Sequence, residues 1–198
     1  MKATGIILAG GKNTRIGTEK AFIQLRPGST LIQNTVETFE KLFSEIIVVT
    51  NNPHAYVKLG TRVVEDLIKG KGPLGGIFSG LCFSRSELSF VVGCDMPFPN
   101  PDLINYIIQK PVEYDVVIPV IDGKAESLFA RYSKNALPVI LSHLLKHQLK
   151  VQDALDNLKI LKISSQEIQR FDPEHLSFFN VNTQADLKKA KDLLGRSK

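Results

Sequence analysis

Residues 5–20 read GIILAGGKNTRIGTEK, an apolar run that passes directly into a basic, glycine-rich segment. The run at 5–8 is typical of a short buried strand, and the glycines after it allow a tight turn. Gly10, Gly11 and Gly17 let backbone N–H groups approach phosphate oxygens, because no Cβ stands in the way. These residues therefore predict a strand whose carboxyl end carries a phosphate-binding loop.

Three cations, Lys12, Arg15 and Lys20, accompany these glycines. The planar guanidinium of Arg15 suits contact with a phosphate, and Lys20 supplies a compact positive charge. The spacing matches neither a Walker A loop, which needs Gly-Lys-Ser/Thr, nor the G-x-G-x-x-G of dinucleotide-binding turns. The segment alone thus indicates phosphate binding, and an ordinary strand-to-helix turn with exposed lysines remains an open alternative.

Short apolar runs alternate with helical patterns along the rest of the chain. Strands are predicted at 5–8, 45–50, 62–65, 88–93, 115–120, 127–132 and 159–163, and helices at 30–43, 72–83, 101–110, 135–147 and after 183. Residues 164–175 are polar and are expected to be irregular. The alternation predicts one α/β domain over 1–198 with a mostly parallel, doubly wound sheet, since no linker divides the chain.

Asp95 stands at the carboxyl end of a predicted strand, where ligands bind in sheets of this kind. It follows the apolar run 88–93 and precedes the rigid Pro97. A carboxylate there can hold Mg²⁺, which prefers one or two carboxylates together with substrate phosphate oxygens. An Asx-turn that caps the local backbone is the competing interpretation. Beside a basic glycine loop at a neighbouring strand end, the metal interpretation is favoured.

The composition narrows the class of protein. At 43% hydrophobic residues the chain can bury a large core, and its two cysteines indicate no disulfide framework. The net charge of +5 suits a polyanionic ligand, but no aromatic–basic RNA-binding motif is present. No apolar run approaches the roughly 20 residues that span a bilayer. We therefore expect a cytoplasmic protein that binds neither nucleic acid nor membrane.

Five motifs stand out along the chain: LAGG at 8–11, RIG at 15–17 with Lys20, GPLGG at 72–76, CDMP at 94–97, and FNVNT at 179–183. In this order they resemble the motifs of the molybdenum cofactor guanylyltransferases. The resemblance covers nearly the whole chain. It implies a single three-layer, Rossmann-like α/β domain of the nucleotidyltransferase type.

The resemblance also implies an activity, which is transfer of GMP from GTP to molybdenum-bound molybdopterin with Mg²⁺ as cofactor. It implies catalytic roles for Arg15, Lys20 and Asp95, with Asp95 as the metal ligand, and acceptor contacts for Asn180 and Asn182. The implied nucleotide-binding residues are Leu8, Ala9, Gly10, Gly11, Lys20, Asn52, Asp66, Gly75, Gly76 and Asp95. Asn51 is an alternative to Asn52. Proteins that deliver or accept the cofactor are further expected partners.

Two alternative functions remain open from the sequence. A cytidylyltransferase could act on molybdopterin or on a sugar or polyol phosphate, although such relatives more often carry Leu-Ala-Ala-Gly where this chain has Gly10. A non-catalytic module that senses nucleotides or binds RNA could also keep the same fold. Release of pyrophosphate with GTP, compared with CTP, separates these possibilities.

Overall fold

The computed structural model describes residues 3–10 and 19–196; the positions of Gly11, Arg15 and the other predicted loop residues between them lie outside these ranges. The strands are β1 Ala3–Leu8, β2 Gln24–Arg26, β3 Ser29–Thr30, β4 Ile46–Val49, β5 Arg62–Val64, β6 Leu88–Gly93, β7 Val116–Ile121, β8 Lys124–Ala125, β9 Phe129–Ser133 and β10 Ile160–Ile163. The helices are α1 Leu31–Glu40, α2 Gly72–Phe83, α3 Pro101–Ile108, α4 Leu137–Leu145, α5 Val151–Leu155, α6 Ser165–Gln169 and α7 Gln184–Arg196.

The main sheet runs in the order β10-β7-β9-β6-β1-β4-β5, with β8 paired to β7. Strand β1 pairs in parallel with both β4 and β6, while β9 is antiparallel to both β6 and β7. The predicted mostly parallel α/β sheet is confirmed. The reversal of β9 has a simple cause, because only residues 122–128 separate it from the end of β7 and a parallel crossover needs a dozen or more residues.

The connection between the strands predicted at 115–120 and 127–132 begins with a turn at Asp122 and Gly123. Both residues have left-handed backbones, with φ of 49° and 76°, and the short β8 takes the place opposite the end of β7. The chain then leaves the ladder at 126–128 before β9 pairs with the start of β7. This interruption was not predicted from the sequence, and it places Leu128 in the wall of a large cavity that is described below.

Helices cover both faces of the sheet and complete the predicted three layers. Alternate side chains of β1 point to opposite faces, so that Ile7 packs in the core beneath α1, α3 and α6, and Ile6 packs in the core beneath α2, α4 and α5. A third apolar cluster joins α7 to the β2–β3 ribbon. No helix in the described ranges is long and apolar enough to cross a bilayer.

Capping residues mark the starts of α1, α3 and α6, and the last of these helices was not predicted from the sequence. Thr30 forms a reciprocal capping box with Gln33, and Asn100 caps α3. The expectation that 164–175 is irregular is wrong for its first part, because Ser164 and Glu167 form a capping box that starts α6. The Ser-x-x-Glu spacing is itself a signal for the start of a helix, so α6 could have been predicted from the sequence.

Gly5 provides a stability prediction for the core. A Cβ at this position would lie 2.5 Å from Phe39 Cδ2 and 2.7 Å from Phe43 Cδ2, both on buried rings. We expect Gly5→Ala to lower the free energy of unfolding by about 1–3 kcal/mol, because the rings must shift in a packed core. Chemical denaturation measures the change. Gly195→Ala is the control, since a Cβ there would meet no atom of the described part of the chain within 4 Å. An equal loss in both variants would contradict the packing argument.

Candidate active site

A cavity of about 1030 Å³ opens at the carboxyl ends of β6, β1, β4 and β5. Its size suits a ligand as large as a nucleotide. Nine of the predicted site residues lie in its wall: Leu8, Ala9, Gly10, Lys20, Asn52, Asp66, Gly76, Asp95 and Asn182. Its position is the one expected for ligands of open α/β sheets.

At one end of the cavity, Lys20, Asp95 and Asn182 form a connected cluster. Lys20 Nζ lies 2.9 Å from Asp95 Oδ2 and donates to Asn182 Oδ1 at 2.6 Å. A backbone hydrogen bond of 2.9 Å from Val181 N to Asp95 O fixes the two segments against each other. The Lys20 side chain is only 11% exposed, so its charge has a fixed position instead of moving freely in solvent. Three residues far apart in the sequence thus meet at one point.

Asp95 has the chemistry of a partial metal site. Its Oδ2 accepts a hydrogen bond from Lys20, whereas its Oδ1 accepts none from the described residues. The described residues contain no group of three or more His, Cys, Asp or Glu side chains that could enclose a metal. One carboxylate with a free oxygen fits a hard divalent cation that takes its remaining ligands from substrate phosphates and water.

Gly93 makes room for the Asp95 carboxylate. A Cβ on Gly93 would lie 2.7 Å from Asp95 Oδ1, which is too close for both to keep their positions. Sequence reasoning missed Gly93, because a glycine at the end of a buried strand carries no signal that distinguishes it from an ordinary strand end.

Gly93→Ala should therefore impair the site more than the fold. The methyl group pushes away the end of one flexible side chain and otherwise meets only Leu128 Cβ at 4.0 Å. We expect the metal-dependent rate to fall about 10²-fold, since small displacements of a catalytic group are costly. Kinetics at varied Mg²⁺, with thermal unfolding alongside, measure both effects. An unchanged metal dependence would refute this role, and Gly195→Ala controls for the substitution itself.

The backbone at the end of β1 forms part of the cavity wall. Leu8 O accepts a hydrogen bond from Cys94 N at 3.0 Å, and Ala9 N donates one to Val49 O at 2.8 Å. Both backbone groups are therefore already hydrogen-bonded to neighbouring segments. Gly10 follows them, exposed in the wall, and a Cβ there would meet no atom of the described residues within 4 Å. None of the described residues therefore fills the space beside Gly10.

At the other end of the cavity, Asn51 holds Asp66. Asn51 Nδ2 donates to Asp66 Oδ2 at 2.7 Å, while Asp66 Oδ1 is buried without a partner in the described residues. Burial raises the pKa of Asp66, and the hydrogen bond from Asn51 opposes that rise. Asn52 has a different contact, because its Nδ2 donates to Glu19 Oε1 at 2.7 Å. Both asparagines line the cavity, and only Asn51 contacts Asp66.

The two glycines of the α2 start face different surroundings. A Cβ on Gly76 would lie 3.2 Å from Leu8 Cδ2 and 3.8 Å from Asp66 Oδ1, on the cavity side. Gly75 is not part of the cavity wall; a Cβ there would lie 2.8 Å from Lys71 Cβ and 3.3 Å from Ile68 O. Gly75 thus lets α2 pack closely against the preceding loop, rather than facing the cavity as the sequence predicts.

Asn180 also lies outside the main cavity wall. Its Nδ2 donates to Phe178 O at 3.1 Å. Its neighbour Phe179 lines a smaller cavity of about 330 Å³, together with Lys124 and Glu126. The segment 179–182 therefore contributes to two cavities, with Asn182 in the wall of the larger one.

Cys94 is not equipped as a nucleophile, although it is next to Asp95. Burial, together with the neighbouring charge of Asp95, raises the pKa of its thiol to about 12. At neutral pH the group stays protonated, and the thiolate is the reactive form. Cys94 therefore serves as a small residue packed against the core.

Comparison with known proteins identifies the family. The model of the MobA-like NTP transferase domain matches residues 5–160. A "Probable molybdenum cofactor guanylyltransferase" of Pelotomaculum thermopropionicum is 36% identical over 198 residues, which cover 100% of this chain and 96% of that protein. A "Molybdenum cofactor guanylyltransferase" of Desulfosudis oleivorans is 33% identical, with coverage of 95% and 94%.

A solved structure gives the same result. The molybdopterin-guanine dinucleotide biosynthesis protein A of Archaeoglobus fulgidus superimposes with a TM-score of 0.86 at 28% identity, and covers 98% of this chain and 99% of its own. The three-layer nucleotidyltransferase-like fold predicted from the sequence is thereby confirmed. With the fold, the cavity and the motifs in agreement, the chain belongs to the MobA-like NTP transferase domain family and is an enzyme of the nucleotidyltransferase type.

Proposed function

We propose that this protein transfers GMP from GTP to molybdenum-bound molybdopterin, which forms the guanine dinucleotide form of the cofactor and releases pyrophosphate. The observation that carries the proposal is the Lys20–Asp95–Asn182 cluster at one end of a nucleotide-sized cavity. The names of the full-length relatives support the choice of GTP and molybdopterin.

The main obstacle to such a reaction is charge, because the acceptor phosphate and the triphosphate are both anionic. Lys20 has three N–H donors, of which two are directed to Asp95 and Asn182. No other described residue accepts from Lys20, so the third donor would be available to a phosphate oxygen. Arg15, which lies outside the described residues, would add a planar fork for the same phosphates. In this arrangement the cations offset the repulsion and stabilise charge on the leaving pyrophosphate.

Asp95 would hold the divalent cation that enzymes of this type commonly use, and we propose Mg²⁺. The bound ion supplies charge neutralisation of the phosphates. The free Oδ1 of Asp95 and the room that Gly93 leaves beside it support this assignment. An acceptor phosphate is already ionised near neutral pH, so attack on the α-phosphorus needs no general base from the protein.

The acceptor would approach from the side of Asn182. The segment 179–182 runs from the smaller cavity to the larger one, so an acceptor seated in the smaller cavity could present its phosphate beside Asn182. Asn180, which binds the local backbone, would then shape the segment between the two cavities.

Pyrophosphate release with molybdenum-bound molybdopterin tests the proposed function. We expect turnover with GTP and Mg²⁺, and much slower turnover with CTP. Faster turnover with CTP would replace the guanylyl assignment by a cytidylyl one. No transfer with either nucleotide, combined with salt-sensitive RNA binding, would favour a non-catalytic module.

A further inference from the structure

A buried tyrosine lies between the end of β1 and the turn that carries Lys20. Tyr56 belongs to the 3₁₀ helix Pro53–Leu59, which follows β4, and it is only 2% exposed. Its hydroxyl donates to Ala9 O at 3.3 Å, and the centroid of its ring lies 4.7 Å from that of Phe22. One side chain therefore contacts both the end of the strand and the turn.

The hydroxyl of Tyr56 makes more than a packing contact. A buried phenol needs a hydrogen-bond partner, whereas a phenylalanine would fill the same core position without one. Burial raises the pKa of Tyr56, and the nearby Cys94 and Glu19 act in the same direction, so the hydroxyl remains a donor at neutral pH. The Thr50 side chain also interacts with it. No other described residue donates to Ala9 O, so this hydroxyl holds the end of β1.

The turn that carries Lys20 rests on the same tyrosine. Glu19 immediately precedes this 3₁₀ turn, and Phe22 N donates to Glu19 O at 3.0 Å. Glu19 interacts with the Tyr56 hydroxyl, and Phe22 packs against the Tyr56 ring. Residues on both sides of Lys20 are thus held by one buried side chain, while Lys20 Nζ itself lies 2.9 Å from Asp95 Oδ2.

We propose that Tyr56 is a positioning residue, whose hydroxyl and ring together set the place of Lys20 in the active site. The inference rests on the proposed function and deepens it, because it adds a residue outside the cavity wall to those that serve phosphate binding. Asn52 also holds Glu19, but that contact joins two exposed side chains and does not reach the end of β1.

Tyr56→Phe tests the inference, because it removes the hydroxyl and keeps the ring. GMP transfer at saturating GTP and Mg²⁺, and GTP binding in EDTA, are measured on the wild type, Tyr56→Phe, Lys20→Met and the double variant. We expect Tyr56→Phe to lower the rate of transfer about tenfold and metal-free GTP affinity about threefold, because small displacements of a catalytic charge are costly. In the Lys20→Met background, Tyr56→Phe should change either quantity by about twofold at most, since it acts through Lys20.

Tyr132→Phe is the matched control. Tyr132 is 1% exposed and its hydroxyl donates to Ser127 O at 2.8 Å, so the change removes the same kind of buried hydrogen bond outside the cavity wall. The midpoint of thermal unfolding should fall by a similar amount in both variants, whereas only Tyr56→Phe should lose transfer. Equal loss of transfer in both variants would mean a merely structural role and overturns the inference. An equal effect of Tyr56→Phe with and without Lys20 also overturns it.

The failure of the inference can be told apart from the failure of the proposed function. Wild-type transfer and binding in Tyr56→Phe would reject the inference and leave the proposed function intact. If the wild type transfers CMP from CTP instead, the proposed function fails, and the same four proteins assayed with CTP still test the coupling of Tyr56 to Lys20. If the wild type transfers neither nucleotide, metal-free GTP binding in these four proteins decides the inference.

Discussion

Asp95→Asn should reduce GMP transfer by about 10³-fold while the chain stays folded, since one preorganised electrostatic group of this kind is worth about 10²–10³ in rate. The substitution keeps the size of the side chain and removes its negative charge. The partner Lys20 retains its hydrogen bond to Asn182, so the loss of the ion pair leaves that ammonium partly satisfied. The fold therefore has little reason to fail, and the effect falls on the metal.

The Asp95→Asn prediction is checked by single-turnover pyrophosphate release at saturating GTP and varied Mg²⁺. GTP binding in the presence of EDTA should weaken little, because Asp95 acts on the nucleotide through the metal. Asp156→Asn, the same change at an exposed position away from the cavity, should behave as wild type. Near-normal Mg²⁺-dependent turnover in Asp95→Asn would refute the assigned role.

Much of this site could be predicted because strand ends are readable in the sequence. The apolar runs at 5–8 and 88–93 are followed by Ala9 and Cys94, and parallel pairing of β1 with β6 sets Leu8 opposite Gly93. The polar residues that follow two such runs must therefore meet at one edge of the sheet. Asp95 and Lys20 are 75 positions apart in the sequence and lie within 2.9 Å.

Other features depend on non-local geometry that no local pattern contains. The sequence predicts a strand at 127–132, but the antiparallel insertion of β9 between β6 and β7 depends on pairings with two distant segments. Similarly, Asn51 and Asn52 are adjacent and alike in chemistry. Only the course of the backbone after β4 directs one amide to Asp66 and the other to Glu19.

Lys20→Met should affect both GTP binding and transfer, which distinguishes it from Asp95→Asn. Methionine matches the length of the lysine stem but cannot donate to Asp95, Asn182 or a phosphate. Loss of one charge-assisted hydrogen bond to phosphate predicts GTP affinity about tenfold or more below wild type, even with EDTA. We expect the rate of transfer to fall about 10²-fold in addition, because the charge also stabilises the leaving group.

Two further variants test the Lys20 prediction. Lys58→Met removes an exposed charge outside the cavity and should leave metal-free GTP affinity unchanged. The double variant Lys20→Met/Asp95→Asn should be less impaired than the product of the single effects, because the two side chains share one ion pair. Wild-type affinity for GTP in EDTA would contradict a direct contact between Lys20 and the phosphates. In that case the ammonium would serve only to hold Asp95 and Asn182 together, and Lys20→Met would reproduce the Asp95 phenotype without any loss of metal-free binding.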